Sequence, residues 1–350
     1  VATDAPAVLS PGALAAVLDT GVDAIVHRES FYWDTPGRGI ERVTWVPRAD
    51  VTPSVACVKY GAGLEREALA QSALLDAAVD AVPTLIGCRQ LPDGGVVLAT
   101  RWVEGRTPDF STEADLVAGC TMAAQFAAEW ADRVRAYFGS GTPLPRRGVP
   151  AYLEPAWKWL LTHVRDVRWY EIRLARYAAS VLEQDDLLRE LDASLAADAC
   201  REISAVASRL AHRICSTPLT LDPGDFAREN ALFGNDGRAY LLDFERVRIV
   251  PVVNWFERLG EDLRGQPAHS LLDVALRAFV DGWNATGVVP LGWEIFRGAH
   301  NSLRVWRHAS ELSGCLRDLV QGNLTYDARA SAVRCARDLP KLFETAMTTL

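Results

Sequence analysis

The stretch Leu219–Val250, LTLDPGDFARENALFGNDGRAYLLDFERVRIV, concentrates the side chains of this sequence that could do chemistry. Asp225 follows the apolar run PLTL, in a loop holding Pro223 and Gly224. Asn230 comes just before ALF, Asp243 ends the run YLL, and the turn GNDGR lies between these two runs. An acid and an amide leaving one strand, with a second acid ending its hairpin partner, are expected to converge at one mouth. Three hard oxygen donors so arranged suit a hard cation such as magnesium. Asp and Asn also favour ordinary turns, so the reading rests on their register with other residues. One of those others stands out by rarity. Only Lys59, Lys158 and Lys341 of the 37 basic residues are lysines, and Lys59 falls in the β-rich run SVACVKY. A compact ammonium there does what a planar guanidinium does not.

Taken in order, these residues resemble the aminoglycoside phosphotransferase and choline kinase-like family, the small-molecule branch of the protein-kinase-like fold. That family reads His-Gly-Asp-x-x-x-x-Asn-x-Leu and then Ile-Asp-(Trp/Phe)-Glu. The chain reads Pro223-Gly224-Asp225 through Asn230-Ala231-Leu232, then Leu242-Asp243-Phe244-Glu245. Upstream, Val55-Ala56-Cys57-Val58-Lys59 resembles the family's lysine strand. LEREALAQSALL resembles its Leu-x-x-Glu-x-x-x-Leu helix, with Glu67 as the lysine's partner and Glu65 in reserve. VVLATRWVEGR resembles the hinge, a strand followed by an aromatic residue and Gly. The match runs over roughly residues 22–260. It departs at Pro223, where the family has a histidine that braces the catalytic loop. It departs again at Asn254-Trp255, near where the family's Gly-Asp-Pro-x-x-Asp-Leu places a supporting aspartate.

The resemblance implies an ATP- and magnesium-dependent phosphotransferase, with GTP as the alternative nucleotide. Catalysis of that kind is positioning and electrostatics around a transferred group with charge on three oxygens. Asp225 is then expected to accept or orient the proton of an acceptor hydroxyl, and Asn230 and Asp243 to hold magnesium. Lys59 neutralises the α/β-phosphates, an interaction worth about 4 kcal/mol near 4 Å at an effective dielectric of about 20. Glu67 fixes that lysine, and adenine lies against the backbone near Arg101, Trp102 and Val103. Gly37 and Gly39, in DTPGRG, form either a phosphate-covering loop or a plain hairpin turn. The acceptor is a small molecule, foremost an antibiotic of aminoglycoside, peptide or nucleoside type, in resistance or biosynthetic self-protection. Two other readings stay open. One is a metabolic kinase of a sugar, nucleoside, choline or homoserine. The other is a catalytically inactive kinase-like binding module, which Pro223 and Asn254 motivate. The lack of an Ala-Pro-Glu segment after Asp243 speaks against a protein substrate.

The elements that must position these residues are legible as patterns. AIVHRESFYW, IERVTWVP, SVACVKY and VVLATRWV read as strands separated by the turn clusters DTPGRG, RADVTP and LPDGG, with one helix, LEREALAQSALLDAAV, among them. After Gly105 the pattern turns helical, starting with a long helix over 111–138 capped at Ser111 or Thr112. The expected fold is α+β and bilobal, an antiparallel-sheet lobe over 1–104 and a larger helical lobe over 105–350; the resemblance makes the first the nucleotide-binding lobe and gives the second the catalytic and metal loops. The chain has 350 residues, 49% of them hydrophobic, enough for a sizeable core. A net charge of −8 disfavours nucleic acid as a partner. No apolar run reaches the roughly 18 residues of a membrane span. The start, VATDAPAVLSPG, does not read as a signal peptide. The seven cysteines (Cys57, Cys88, Cys120, Cys200, Cys215, Cys315 and Cys335) are odd in number, widely spaced and free of CxxC. They read as reduced thiols of a cytoplasmic protein, a monomer or homodimer.

Overall fold

In the computed structural model, which describes residues 9–31, 38–48, 52–74, 81–144, 149–262, 269–322 and 326–348, the early β-branched runs form one antiparallel sheet. Helix α1 (Pro11–Val17) precedes it, capped by the Ser10 hydroxyl, which accepts from the Ala13 N–H at 3.2 Å. Strands β1 (Ile25–Phe31), β2 (Gly39–Trp45) and β3 (Ser54–Gly61) follow. Next come helix α2 (Glu65–Leu69), which runs into a π-turn over Ala70–Leu74, and strands β4 (Leu85–Gln90) and β5 (Val96–Arg101). The spatial order is β1-β2-β3-β5-β4, with every neighbouring pair antiparallel.

Strand alternation sorts the side chains. Ala56, Val58 and Tyr60 of β3 join Val43, Trp45, Val97 and Ala99 and α1 residues Leu14 and Val17 in one buried core. Each large member of such a core is worth about 1.5–3 kcal/mol of burial. Cys57 and Lys59, between those positions, face the other side of the sheet, where Cys57 pairs in register with Thr100 and Lys59 with Leu98.

Strand β6 (Gly105–Arg106) and helix α3 (Glu113–Ser140) come next. Thr112 caps α3, its hydroxyl accepting from the Asp115 N–H at 3.4 Å, and Gly141 ends it at φ 71°. The chain continues through α4 (Glu154–Thr162), α5 (Val167–Leu182), α6 (Asp185–Glu190), α7 (Ser194–Ile214) and β7 (Leu219–Asp222). Strands β8 (Ala231–Gly234), β9 (Ala239–Leu241) and β10 (Arg248–Pro251) follow. Last are α8 (Phe256–Asp262), α9 (His269–Asn284), α10 (Trp293–Val320) and α11 (Tyr326–Met347). Strands β6, β8 and β9 form a small ladder in that order, and β7 pairs with β10.

Two compact units result, each discontinuous in sequence. One comprises Val1–Met122, Arg135–His163 and Pro223–Arg248; the other comprises Ala123–Val134, Val164–Asp222 and Ile249–Leu350. The sequence turns helical at Gly105 and extended again between 218 and 250, and the stretch from Pro223 to Arg248 groups with the early strands. The ladder is the reason: β6 and β8 pair Gly105 with Gly234 and Arg106 with Phe233. The second unit is helical. Its core includes Trp255, Phe256, Phe279 and Phe296, with Phe279 stacked on Phe296 at 5.5 Å between centroids. All seven cysteines are free thiols. No described helix is long and apolar enough to cross a membrane.

Candidate active site

Lys59 and Glu67 meet because β3 directs one and α2 the other toward the same space. Lys59 Nζ donates to Glu67 Oε1 at 2.7 Å. Leu64, Ala68 and Leu69 are wholly buried and fix the face that α2 turns inward, leaving Glu67 only 1% exposed. Its second oxygen, Oε2, is buried without a hydrogen-bond partner among the described residues. Burial pushes the Glu67 carboxyl up to about 7, with Lys59 pulling it down and Asp243 pushing it further up. Burial also presses the Lys59 ammonium toward neutrality, but Glu67 and Asp243 outweigh that and hold it above the ordinary lysine range. Glu65, the other acid of the first turn, lines a separate surface pocket with Arg66 and Trp159.

The second group of residues hangs on the β8–β9 hairpin. Ala231 pairs with Leu241 in register, and the Leu242 N–H bonds to the Asn230 carbonyl at 3.1 Å. That pairing brings Asn230 and Asp243 to the same end of the hairpin. Asn230 Nδ2 donates to the main-chain oxygen of Asp225 at 2.9 Å, closing the loop between them. Gly224 sits at φ 92°, and a Cβ there would lie 2.3 Å from the Arg246 carbonyl oxygen. The loop is therefore built for glycine at that position. Phe226 and Phe244 are buried anchors on either side. Asp243 Oδ1 accepts from the Glu245 N–H at 2.9 Å, which orients its carboxylate. Glu245 in turn forms an ion pair with Arg38, whose Nε donates to the Ala62 carbonyl at 2.7 Å.

A cavity of about 410 Å³ draws both groups together. Lys59, Glu67, Asn230 and Asp243 all line it, as do Arg101, Trp102 and Val103. The Arg101 N–H is committed to the Thr84 carbonyl at 2.8 Å and the Trp102 N–H to the Val55 carbonyl at 2.9 Å. For the Val103 N–H no partner is found among the described residues. The Trp102 ring stacks on Phe31 at 5.9 Å and lies under the Arg42 guanidinium at 5.0 Å.

Other residues singled out from sequence lie elsewhere. Asp225 is half-buried and joins the site through Asn230, without lining the cavity. Gly39 is the first residue of β2, opposite Tyr60. The Tyr60 ring fills the space its missing Cβ leaves, with atoms 2.3 Å from where that carbon would be. Gly39 does not line the cavity, and Gly37 lies outside the described residues. Pro223 is buried. Asn254, also buried, belongs to the second unit, where it accepts from the Tyr170 hydroxyl at 2.6 Å and donates to the Pro251 carbonyl at 3.0 Å. Among the described residues no group of three or more His, Cys, Asp or Glu side chains is disposed to hold a metal. Beside the Lys59–Glu67 pair, the cavity wall carries the side-chain oxygens of Asp243 and Asn230 among its oxygen donors. Arg38, Gln71 and Thr100 are not distinguished by sequence pattern. Only Gln71 leaves a trace there, as a polar residue one turn beyond Glu67 on an otherwise apolar helix face.

No family model matches the chain, and no curated protein matches it. Solved structures do resemble it. A choline/ethanolamine kinase family protein from Mesorhizobium loti is 16% identical with TM-score 0.54, covering 97% of this chain and 97% of that one. An aminoglycoside phosphotransferase from Alicyclobacillus acidocaldarius is 16% identical with TM-score 0.51, covering 99% of this chain and 97% of that one. A thermostable mutant of another aminoglycoside phosphotransferase is 14% identical with TM-score 0.50, covering 94% and 97%. With its antiparallel sheet, the helix that supplies Glu67 and its helical second unit, the chain has the fold of the aminoglycoside phosphotransferases and choline/ethanolamine kinases.

Proposed function

We propose that this protein is a phosphotransferase that moves the γ-phosphoryl group of ATP to a hydroxyl of a small molecule. The observation that carries this reading is the meeting, on one cavity wall, of the Lys59–Glu67 pair, a hinge backbone and the oxygens of Asn230 and Asp243. The Arg101 carbonyl and the Val103 N–H offer an adenine edge one acceptor and one donor. The Lys59 ammonium, held by Glu67, binds the α/β-phosphates. Asp243 and Asn230 fit magnesium, which takes hard oxygens, one or two carboxylates among them, and completes its shell with phosphate and water. With Asn230 Nδ2 committed to the Asp225 carbonyl, its Oδ1 is the ligating end. When bound, the ion neutralises charge on the phosphates. Asp225 takes the proton of the acceptor hydroxyl as its oxygen bonds to Pγ and the bond from Pγ to the bridging oxygen of ADP breaks. Its place off the nucleotide cavity suits a residue that serves the acceptor.

The acceptor we propose is an antibiotic hydroxyl, of aminoglycoside, peptide or nucleoside type, modified in the cytoplasm for resistance or self-protection. The names of the similar aminoglycoside phosphotransferase structures support it. The likeness to the choline/ethanolamine kinase family protein favours a second reading, a metabolic alcohol. Incubation with MgATP and a panel of hydroxylated antibiotics, nucleosides, sugars and amino alcohols, followed by mass spectrometry, decides between them. A phosphate mass gain on one class assigns the acceptor. Tight MgATP binding with no gain on any member supports an inactive binding module in place of an enzyme.

A further inference from the structure

The inner wall of the nucleotide cavity is polar where the resembling pattern is apolar. In Leu-x-x-Glu-x-x-x-Leu, Leu64 and Glu67 occupy the first two places, and Gln71 stands where the last leucine would be. Gln71 is 7% exposed and lines the cavity, and no hydrogen bond to its carboxamide is found among the described residues. Glu67 Oε2, one turn earlier on the same wall, is a buried oxygen likewise unpartnered among them. Thr100 faces the same space from β5, in register with Cys57 of β3. Leaving such groups unpaired opposes folding, whereas leucine at 71 would not. The helix is also irregular at this point. Its π-turn covers Ala70–Leu74, and such turns recur at functional sites.

The hinge fixes how a purine would meet this wall. If the Val103 N–H and the Arg101 carbonyl take adenine N1 and one N6 hydrogen, the opposite edge, N7 with the second N6 hydrogen, turns toward the residue before Arg101. That residue is Thr100, and Gln71 lines the same cavity. A glutamine carboxamide offers the donor and acceptor that the N6/N7 edge of adenine requires, whereas guanine presents two acceptors there. We propose that Gln71, with Thr100, reads the N6/N7 edge of adenine, directly or through one water, and makes the site select ATP over GTP. The inference rests on the phosphotransferase reading and adds the specificity-determining residue for its nucleotide.

Calorimetric titration with the magnesium complexes of ATP, GTP and 7-deaza-ATP, which lacks the N7 acceptor, tests it on wild type, Gln71→Leu and Gln71→Met. Wild type is expected to bind ATP about 5- to 100-fold more tightly than either other nucleotide, the range of one good bidentate contact. Both variants are expected to bind ATP and 7-deaza-ATP equally, at the weaker level. Gln71→Leu restores the apolar residue of the pattern, and Gln71→Met keeps the side-chain length, so either suffices if the other does not fold. Equal binding of ATP and 7-deaza-ATP by wild type, or a difference that persists in the variants, overturns the role of Gln71. Binding of no nucleotide by wild type removes the phosphotransferase reading itself, a separate outcome.

Discussion

Asn230 holds Asp225 by its main chain and not by its carboxylate: the amide Nδ2 donates to the Asp225 carbonyl oxygen at 2.9 Å. That bond fixes the loop through its main chain. Asp225→Ala should therefore lower turnover by on the order of 100-fold or more while nucleotide affinity, measured by calorimetry, stays near wild type. Turnover close to wild type would remove Asp225 from the chemistry.

Asp243 lies on the cavity wall, within electrostatic reach of Lys59 and Glu67. Asp243→Ala is expected to weaken binding of magnesium-ATP while binding of metal-free ATP weakens less or tightens, because a negative charge near the phosphates is gone. Titrations with and without magnesium measure this. An unchanged magnesium dependence rules out the metal role.

Glu67 gives a pH dependence whose sign differs between stability and function. Its carboxyl lies at about 7 in the folded chain against an ordinary 4.5. Between those values the folded state holds the proton more firmly than the unfolded state, so Glu67's contribution to stability falls as pH rises through that window. The carboxylate that grips Lys59, by contrast, gains on its protonated form as pH rises, because burial holds that carboxyl well above the ordinary range. Nucleotide affinity should thus rise from about pH 6 to about pH 8 in wild type, and Glu67→Gln should flatten that rise. A wild-type affinity that stays flat across the range contradicts the coupling.

Gly224 combines φ 92° with a Cβ position 2.3 Å from the Arg246 carbonyl oxygen. Gly224→Ala should cost about 2–3 kcal/mol of stability, read from urea denaturation, because both the backbone conformation and the contact oppose a side chain. Turnover should fall with it, since Asp225 is the next residue. A loss below about 0.5 kcal/mol would show that the loop relaxes around alanine.

Arg38 joins Glu245 and the Ala62 carbonyl, and Glu245 in turn orients Asp243. Arg38→Ala is expected to raise the KM for magnesium-ATP several-fold, with Arg38→Lys recovering part of it, as a charge-dependent brace would. Equal KM values in wild type and both variants would make the pair a bystander.

Much of the site is legible in the order of residues alone. Lys59 and Asp225 are marked by the resemblance of their order, whereas Asn230 and Asp243 reach one end of a hairpin because the ALF and YLL runs pair, as local pattern predicts. A cap at Ser111 or Thr112 is legible for the same reason. What tertiary structure decided depends on partners far apart in the chain. Glu65 and Glu67 share one helical turn; the resemblance favours Glu67, and the packing of Leu64, Ala68 and Leu69 is what turns it toward Lys59. Gly39 resembles a loop glycine in sequence, yet its space belongs to Tyr60 on the next strand. Arg38 and Glu245 stand 207 residues apart, and Gln71 became a cavity residue only once α2 lay against β3 and β5. Local sequence specifies elements and the order of residues on them. Which buried polar groups find partners, and which remain to receive a ligand, is set by how those elements close on one another.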